Sequence, residues 1–463
     1  MQPEDTPAKR PEGPQSSSDP VKVDSLPGSN RAADWRRYFG PGFLVAAAFI
    51  GPGTVGTAIK AGGGFGFQLL WGVGFAVFAT IVFQEMAARL GLIAKMGLGE
   101  AFVNSFPNPV FRATAIGIVF AAILFVNAAY QAGNVSGAAT GLVELIPGLP
   151  AWCWVACCSL TALALIGFGS LKILKVVLVG MVLMMSFTFV VAAVLSRPDF
   201  PLLLSGCFSF EVPFYDLGIL IAIIGTTVVP YNLFLHSSAV AEQNRDLDVE
   251  LHQGESHDHQ APDDDQQEDQ TMTLVQRDET VEIALQGTRM DTQIGVIIGG
   301  VVTASIVITA AGGTAVDLSE ASDTLTPLVG SFGRVLFFLG LFAAGLTSAI
   351  TAPLAAGYVY AGCFGGKPSA DDQQVRRVAA GIIVIGFLIA LWFVKTPSEI
   401  IVLAQIANGL ILPVIAVFLL AVMNSSSILG QYRNTLVQNV LGVGVTLFVL
   451  FLGLYKLKQV FWG

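Results

Sequence analysis

Eleven apolar stretches constrain this chain more than any other feature. They lie near residues 43–64, 68–93, 113–143, 151–168, 173–196, 213–240, 293–312, 328–362, 378–395, 399–423 and 435–457. Each reaches the roughly 17–25 residues that a helix needs to cross a hydrocarbon core about 30 Å thick. In lipid every backbone N–H and C=O must be paired within the protein, so only helices and closed barrels can span. The apolar residues here do not alternate with polar ones, as barrel strands require. The expected class is therefore an all-α integral membrane protein with eleven transmembrane helices. Composition agrees: 54% of residues are apolar, 12% are charged and the mean hydropathy is +0.69, which excludes an ordinary soluble domain.

Two of these stretches are interrupted at matching places. Gly51-Pro52-Gly53-Thr54 breaks the first, and Val229-Pro230-Tyr231-Asn232 breaks the sixth. Four spans follow each broken one before the pattern restarts or a last helix closes it. Unwound backbone at mid-membrane survives only where it is buried in protein or lines a site. Interrupted segments in corresponding halves of a transporter are the best sequence pointer to its substrate site. Two five-span repeats of opposite topology plus one extra helix are expected, with the site between the two breaks.

Charge sorts the rest of the chain. Arg36, Arg37, Arg89, Lys95, Arg112, Lys172, Lys175, Arg289, Lys367, Arg376, Arg377 and Arg433 fall on the N-terminal arm or on loops sharing its side, against Arg197, Arg334, Lys395, Lys456 and Lys458 on the other. The positive-inside rule then places the N-terminus in the cytoplasm and, after eleven spans, the C-terminus outside a cell membrane. Residues 1–35 read as a disordered cytoplasmic tail without a cleavable signal. Residues 36–240 hold the first five-span repeat and span 6, and 291–463 hold spans 7–11. Between them, 241–290 reads as a disordered acidic cytoplasmic loop: fourteen Asp and Glu face Arg245, Arg277 and Arg289, a net of −11 in a chain whose total is −9. Its stretch from His252 through His257 and His259 to Asp265 reads as a solvated polyanionic linker. Cys153, Cys157, Cys158, Cys207 and Cys363 lack metal-ligand spacing and read as packing residues. No nucleotide-binding loop, catalytic triad or zinc helix motif occurs, so no enzyme, cofactor or nucleic-acid partner is expected, and the protein is expected to be a monomer.

Several segments carry a resemblance. GPGFLVAAAF precedes the first break, Gln84 and Ala88-Arg89-Leu90-Gly91 close span 2, and IGTTVVPYNLFLHSS occupies span 6. Arg289-Met290-Asp291-Thr292 enters span 7, LFAAGLTSAITAPLAAG fills span 8, and Gln405 and Leu412-Pro413 lie in span 10. In this order they resemble the NRAMP transporters of divalent metals over roughly residues 38–457. The resemblance implies a LeuT-type fold with discontinuous spans 1 and 6. It also exposes departures. Metal carriers have Asp-Pro-Gly-Asn where this chain has Gly51-Pro52-Gly53-Thr54. Their following Glu and Asp are matched by Gly56 and Ala58, and a Gln by Lys60. Met-Pro-His becomes Val229-Pro230-Tyr231, and an Asp and a Glu linked to proton movement align with Asn127 and Tyr130. His236 and Gln405 remain.

A largely dehydrated divalent ion needs ligands that offset a desolvation cost of order 20 kcal/mol or more, which hydroxyls and carbonyls without a carboxylate do not supply. The half-helix N-termini after Pro52 and Pro230 instead offer free N–H donors and roughly half a positive charge each. The expected function is a secondary-active or facilitative transporter of a small monovalent anion, without Mn²⁺ or Fe²⁺ transport or the metal carriers' proton coupling. Bicarbonate leads, being small, planar and equipped with its own donor, and the chain resembles an NRAMP-related branch associated with bicarbonate. A carrier of hydrated divalent cations such as Mg²⁺ is the alternative, since that ion keeps several waters. Gly51, Gly53, Thr54, Thr226, Thr227, Tyr231, Asn232 and Gln405 are the expected binding residues. Lys60, Asn127, Tyr130 and His236 are expected around them or in the outer vestibule, with no metal ligands.

Overall fold

Pro41 and Pro52 each open a helix, because proline's fixed φ suits the first helical position, where its missing N–H costs no hydrogen bond within the helix it opens. They start α1 (Pro41–Phe49) and α2 (Pro52–Phe65), which meet at 55°. This computed structural model describes residues 40–105, 108–168, 171–255, 266–312, 331–365, 369, 371–393 and 397–462. The chain continues as α3 (Leu70–Ala94), α4 (Leu98–Ser105), α5 (Pro109–Leu145), α6 (Ala151–Phe168), α7 (Leu171–Leu195) and α8 (Phe200–Cys207). A second broken pair follows, α9 (Leu217–Thr227) and α10 (Pro230–Glu255). Then come α11 (Gln266–Ala311), α12 (Ser331–Phe364), α13 (Gln373–Trp392), α14 (Pro397–Met423) and α15 (Leu436–Trp462). Among the described residues, nine helices or helix pairs are long and apolar enough to span, and the bent pair α1–α2 makes a tenth. The 37-residue α5 stands where the third span is expected. Each of the eleven expected spans thus has its helix, and the interruptions fall in the first and sixth.

The broken pairs sit at the centre. α9 and the first half of α10 are buried throughout, while α6, α13 and α15 present apolar side chains such as Leu160, Leu388 and Phe451 outward. Small residues let the inner helices touch, as is usual where lipid supplies no hydrophobic drive between helices. A Cβ on Gly345 of α12 would lie 2.5 Å from the Ala138 amide of α5. Two charged fixtures hold the end nearest the N-terminus. The buried Asp291 of α11 accepts from the amides of Gly40 and Gly42 at 3.1 and 2.6 Å, placing a carboxylate on the positive end of α1. Arg89 of α3 donates to Tyr432 O, Gln438 Oε1 and Asn434 Oδ1 and pairs with Glu85, which also holds Arg289 at 3.1 Å. The Arg89 and Arg289–Asp291 signatures are therefore structural ties.

The acidic segment differs from its expectation. Residues 241–290 are helical at both ends, α10 running to Glu255 and α11 starting at Gln266. The physical reason is packing that charge counting overlooks: Ala284 and Leu285 are buried against Ala88, Leu92 and Val240, and glutamate and glutamine are good helix formers. Residues 256–265, with His257 and His259, and the tail 1–35 lie outside the described residues.

Candidate functional site

A proline at the start of a half-helix leaves the carbonyl four residues earlier without a donor. Pro52 does this to Ala48, and Pro230 does it to Thr226. The two sites answer differently. Around the first break the carbonyls of Ala47, Ala48 and Phe49 are covered, while that of Ile50 has no donor among the described residues. Thr54 Oγ1 and the Gly51 amide donate to Phe49 O, Ser348 Oγ reaches Ala47 O and Ala48 O at 3.3 and 3.4 Å, and the Tyr231 hydroxyl reaches Ala48 O at 3.5 Å. At the second break, Ile224 O receives the Val228 amide and Val229 O the Asn232 amide, but the carbonyls of Gly225, Thr226, Thr227 and Val228 have no donor among the described residues. The donors show the converse pattern. Val55 N closes onto Gly51 O, yet the amides of Gly53 and Thr54, and that of Tyr231, have no acceptor among the described residues. Such half-helix N-termini carry partial positive charge.

The expected residues largely converge here. Thr54 Oγ1 lies 2.8 Å from Thr226 Oγ1, tying the two breaks together. Gly51 sits under Ser348 and Asn134, and a Cβ there would come 2.6 Å from Ser348 Oγ. Gly53 is faced by the Gln405 side-chain amide, whose nitrogen occupies the space of a Cβ. Asn232 is fully buried with neither amide atom paired, and Gln405 Oε1 is likewise unpaired. The Tyr130 ring meets Tyr231 edge to face at 5.5 Å, and its hydroxyl faces Tyr231, Gln405 and Thr226 without hydrogen-bond geometry to any of them. Asn127 is buried with both amide atoms unpaired. Beside Tyr231 and Pro230 a cavity of about 10 Å³, room for roughly one water, is lined by Ile123, Val126, Asn408 and Ile411.

Three residues stand apart. Thr227 turns its hydroxyl onto Ile223 O of its own helix at 3.0 Å. His236 lies further along α10, with Nδ1 2.9 Å from Gln84 Oε1. Lys60 is half-buried on α2, with no polar partner among the described residues. Ser348, Asn134 and Asn408 were not singled out by sequence reasoning. Asn134 follows Asn127 by seven residues and Asn408 follows Gln405 by three, helical spacings that would have placed them on the same faces. Ser348 carried no signal beyond a hydroxyl inside an apolar span.

The described side chains that converge on the breaks are buried and neutral. Among the described residues no three His, Cys, Asp or Glu side chains come together to hold a metal ion.

A family described as natural resistance-associated macrophage protein-like matches residues 42–459. The divalent metal cation transporter MntH of Aeromonas hydrophila is 28% identical over 436 residues, 90% of this chain and 94% of its own. Metal transporter Nramp3 of Oryza sativa subsp. japonica is 27% identical over 462 residues, 95% of this chain and 77% of its own. Among solved structures, a mutant of the Eremococcus coleocola manganese transporter aligns with a TM-score of 0.73 at 20% identity, covering 95% of this chain and 89% of that one. MhsT in complex with L-phenylalanine aligns at 0.54 and 14% identity, covering 91% and 98%. At these identities the structures speak for the fold alone, a LeuT-type arrangement.

Proposed function

The chain belongs to the natural resistance-associated macrophage protein-like family of secondary transporters, and from that premise we propose that its cargo is a small monovalent anion, bicarbonate foremost, bound between the two breaks. One observation carries the reading. Two half-helix N-termini leave free amides beside a pocket lined by hydroxyls and carboxamides and by no carboxylate, thioether or thiol. Fixed N–H dipoles in a dry site favour negative charge. Gly51, Gly53, Thr54, Thr226, Tyr231, Asn232 and Gln405 are the proposed binding residues, with Asn127 and Tyr130 behind them. Lys60 raises the positive potential of the outer approach. The unanswered Thr226 carbonyl suits an anion carrying one O–H, which favours bicarbonate over chloride or nitrate. Proton coupling through carboxylates at Asn127 and Tyr130 has no counterpart here. We also propose a cytoplasmic N-terminus and an outside C-terminus, on the Lys and Arg asymmetry.

The relatives' names support a second reading, a hydrated divalent cation such as Mg²⁺ held through waters by Asn232, Gln405 and Asn127. One assay separates the two. Purified protein in liposomes is given labelled bicarbonate, Mn²⁺ and Mg²⁺, counting only uptake absent from protein-free vesicles, because CO₂ crosses lipid unaided. Bicarbonate uptake is expected, with none for Mn²⁺ or Mg²⁺. Asn232→Asp keeps the shape of the side chain and adds a negative charge, so it should abolish anion uptake. Mg²⁺ uptake by the unaltered protein, with no bicarbonate uptake, would establish the second reading.

A further inference from the structure

We infer that Ser348 and Tyr231 set the sign of charge that the site accepts, by covering the carbonyl oxygens that the break leaves without backbone donors at the end of α1. The inference rests on the anion reading above and names its specificity-determining residues. Without those hydroxyls the end of α1 would present Ala47 and Ala48 carbonyls, at the negative pole of a helix, to whatever occupies the pocket. Ser348 Oγ lies 3.3 and 3.4 Å from these two oxygens, and the Tyr231 hydroxyl lies 3.5 Å from the second. Both side chains are buried, and they reach the break from different helices, α12 and α10. Thr54 covers the next carbonyl, Phe49 O, from within the break. Hydroxyls thus occupy the acceptors at the end of α1, with no ionised side chain involved. Bicarbonate has one O–H to offer a bare carbonyl, so each further carbonyl left bare beside it repels it and attracts cations, and removing the caps should change selectivity as well as affinity.

The test compares Ser348→Ala, Tyr231→Phe and the double variant in liposomes, with bicarbonate, nitrate and Na⁺ as probes. Thr351→Ala serves as the control, because Thr351 donates to Thr347 O of its own helix one turn away. Each single variant should raise the KM for bicarbonate roughly tenfold, and the double variant more. The ratio of anion to Na⁺ uptake should fall, while Thr351→Ala stays at the parental value. Thermal unfolding in detergent identifies any variant that has not folded, and Ser348→Thr, which keeps the hydroxyl, should retain selectivity. Parental KM and selectivity in a folded double variant would overturn the role of the caps alone. An unaltered protein that carries neither anion would overturn the anion reading and this inference together.

Discussion

At the first break the smallest side chains carry the tightest constraints. Gly51 has no room for a Cβ, since Ser348 Oγ would lie 2.6 Å away. Gly51→Asp and Gly51→Asn therefore share one steric cost, and only the first adds charge. A carboxylate about 4 Å from a bound anion repels it by roughly 4 kcal/mol at an effective dielectric of 20, on the order of a thousandfold in affinity. Liposome uptake should show Gly51→Asp inactive and Gly51→Asn merely weakened; equal rates for the two would place the anion elsewhere. Thr54→Ala removes a hydroxyl that joins Phe49 O to Thr226 Oγ1. Its loss should cost about 1 kcal/mol, seen as a several-fold rise in KM. The break and its polar residues were legible in the sequence because proline and glycine inside an apolar run announce themselves. The capping of Ala48 O by Ser348 was not, since it depends on which face of α12 meets α1. Thr227 shows the opposite limit: its sequence position beside the break suggested the site, but the nearest acceptor is its own helix's carbonyl.

Helices in this molecule are set by two separable demands, crossing lipid and touching one another. Length and apolarity revealed all eleven spans, because hydrocarbon leaves the backbone no alternative to internal pairing. Length and apolarity did not reveal where α10 and α11 end, because their polar turns are held by local packing and helix propensity. Contact between helices predicts opposite outcomes for two glycines. Gly345→Ala drives a methyl into the Ala138 backbone and should destabilise by about 1–3 kcal/mol. Gly381 of α13 faces open space, so Gly381→Ala should stabilise by about 0.5 kcal/mol. Thermal unfolding in detergent measures both, and a shared sign would contradict the packing. α4 gives a pH prediction. Burial raises the Glu100 carboxyl above its ordinary range, opposed by the Gly97 amide bond and by Arg245. A carboxyl raised in the folded state favours folding at low pH, and that contribution is lost as pH rises from the ordinary glutamate value through the folded one. Glu100→Gln should therefore gain stability relative to the parent at neutral pH, and the gain should shrink on acidification.

Across the whole sequence, negative charge is concentrated away from the two breaks. Fourteen Asp and Glu lie within 241–290, whereas the breaks have none. Any Mn²⁺ that this protein binds should therefore go to the acidic segment. The ends of that segment are built into the fold: Asn244 and Arg245 bond back to Val240 O and Ala241 O, Tyr358 and Ser369 both donate to Glu242, and Ala284 and Leu285 are buried. A deletion must spare them. Removing residues 250–275 takes out eight of the acids, Glu250, Glu255, Asp258, Asp263, Asp264, Asp265, Glu268 and Asp269, and no Lys or Arg. A Gly/Ser linker of about ten residues reaches about 17 Å on average, enough to rejoin two neighbouring helices. Changing a connection's length costs only about 0.6 kcal/mol per doubling, so bicarbonate uptake should stay within a few-fold of the full chain. Calorimetry should show that whatever Mn²⁺ heat the full chain gives disappears in the deletion variant. Micromolar Mn²⁺ affinity that survives the deletion and is then lost in Asn232→Ala would put a metal at the breaks after all, and the donor-rich pocket would then need a different cargo.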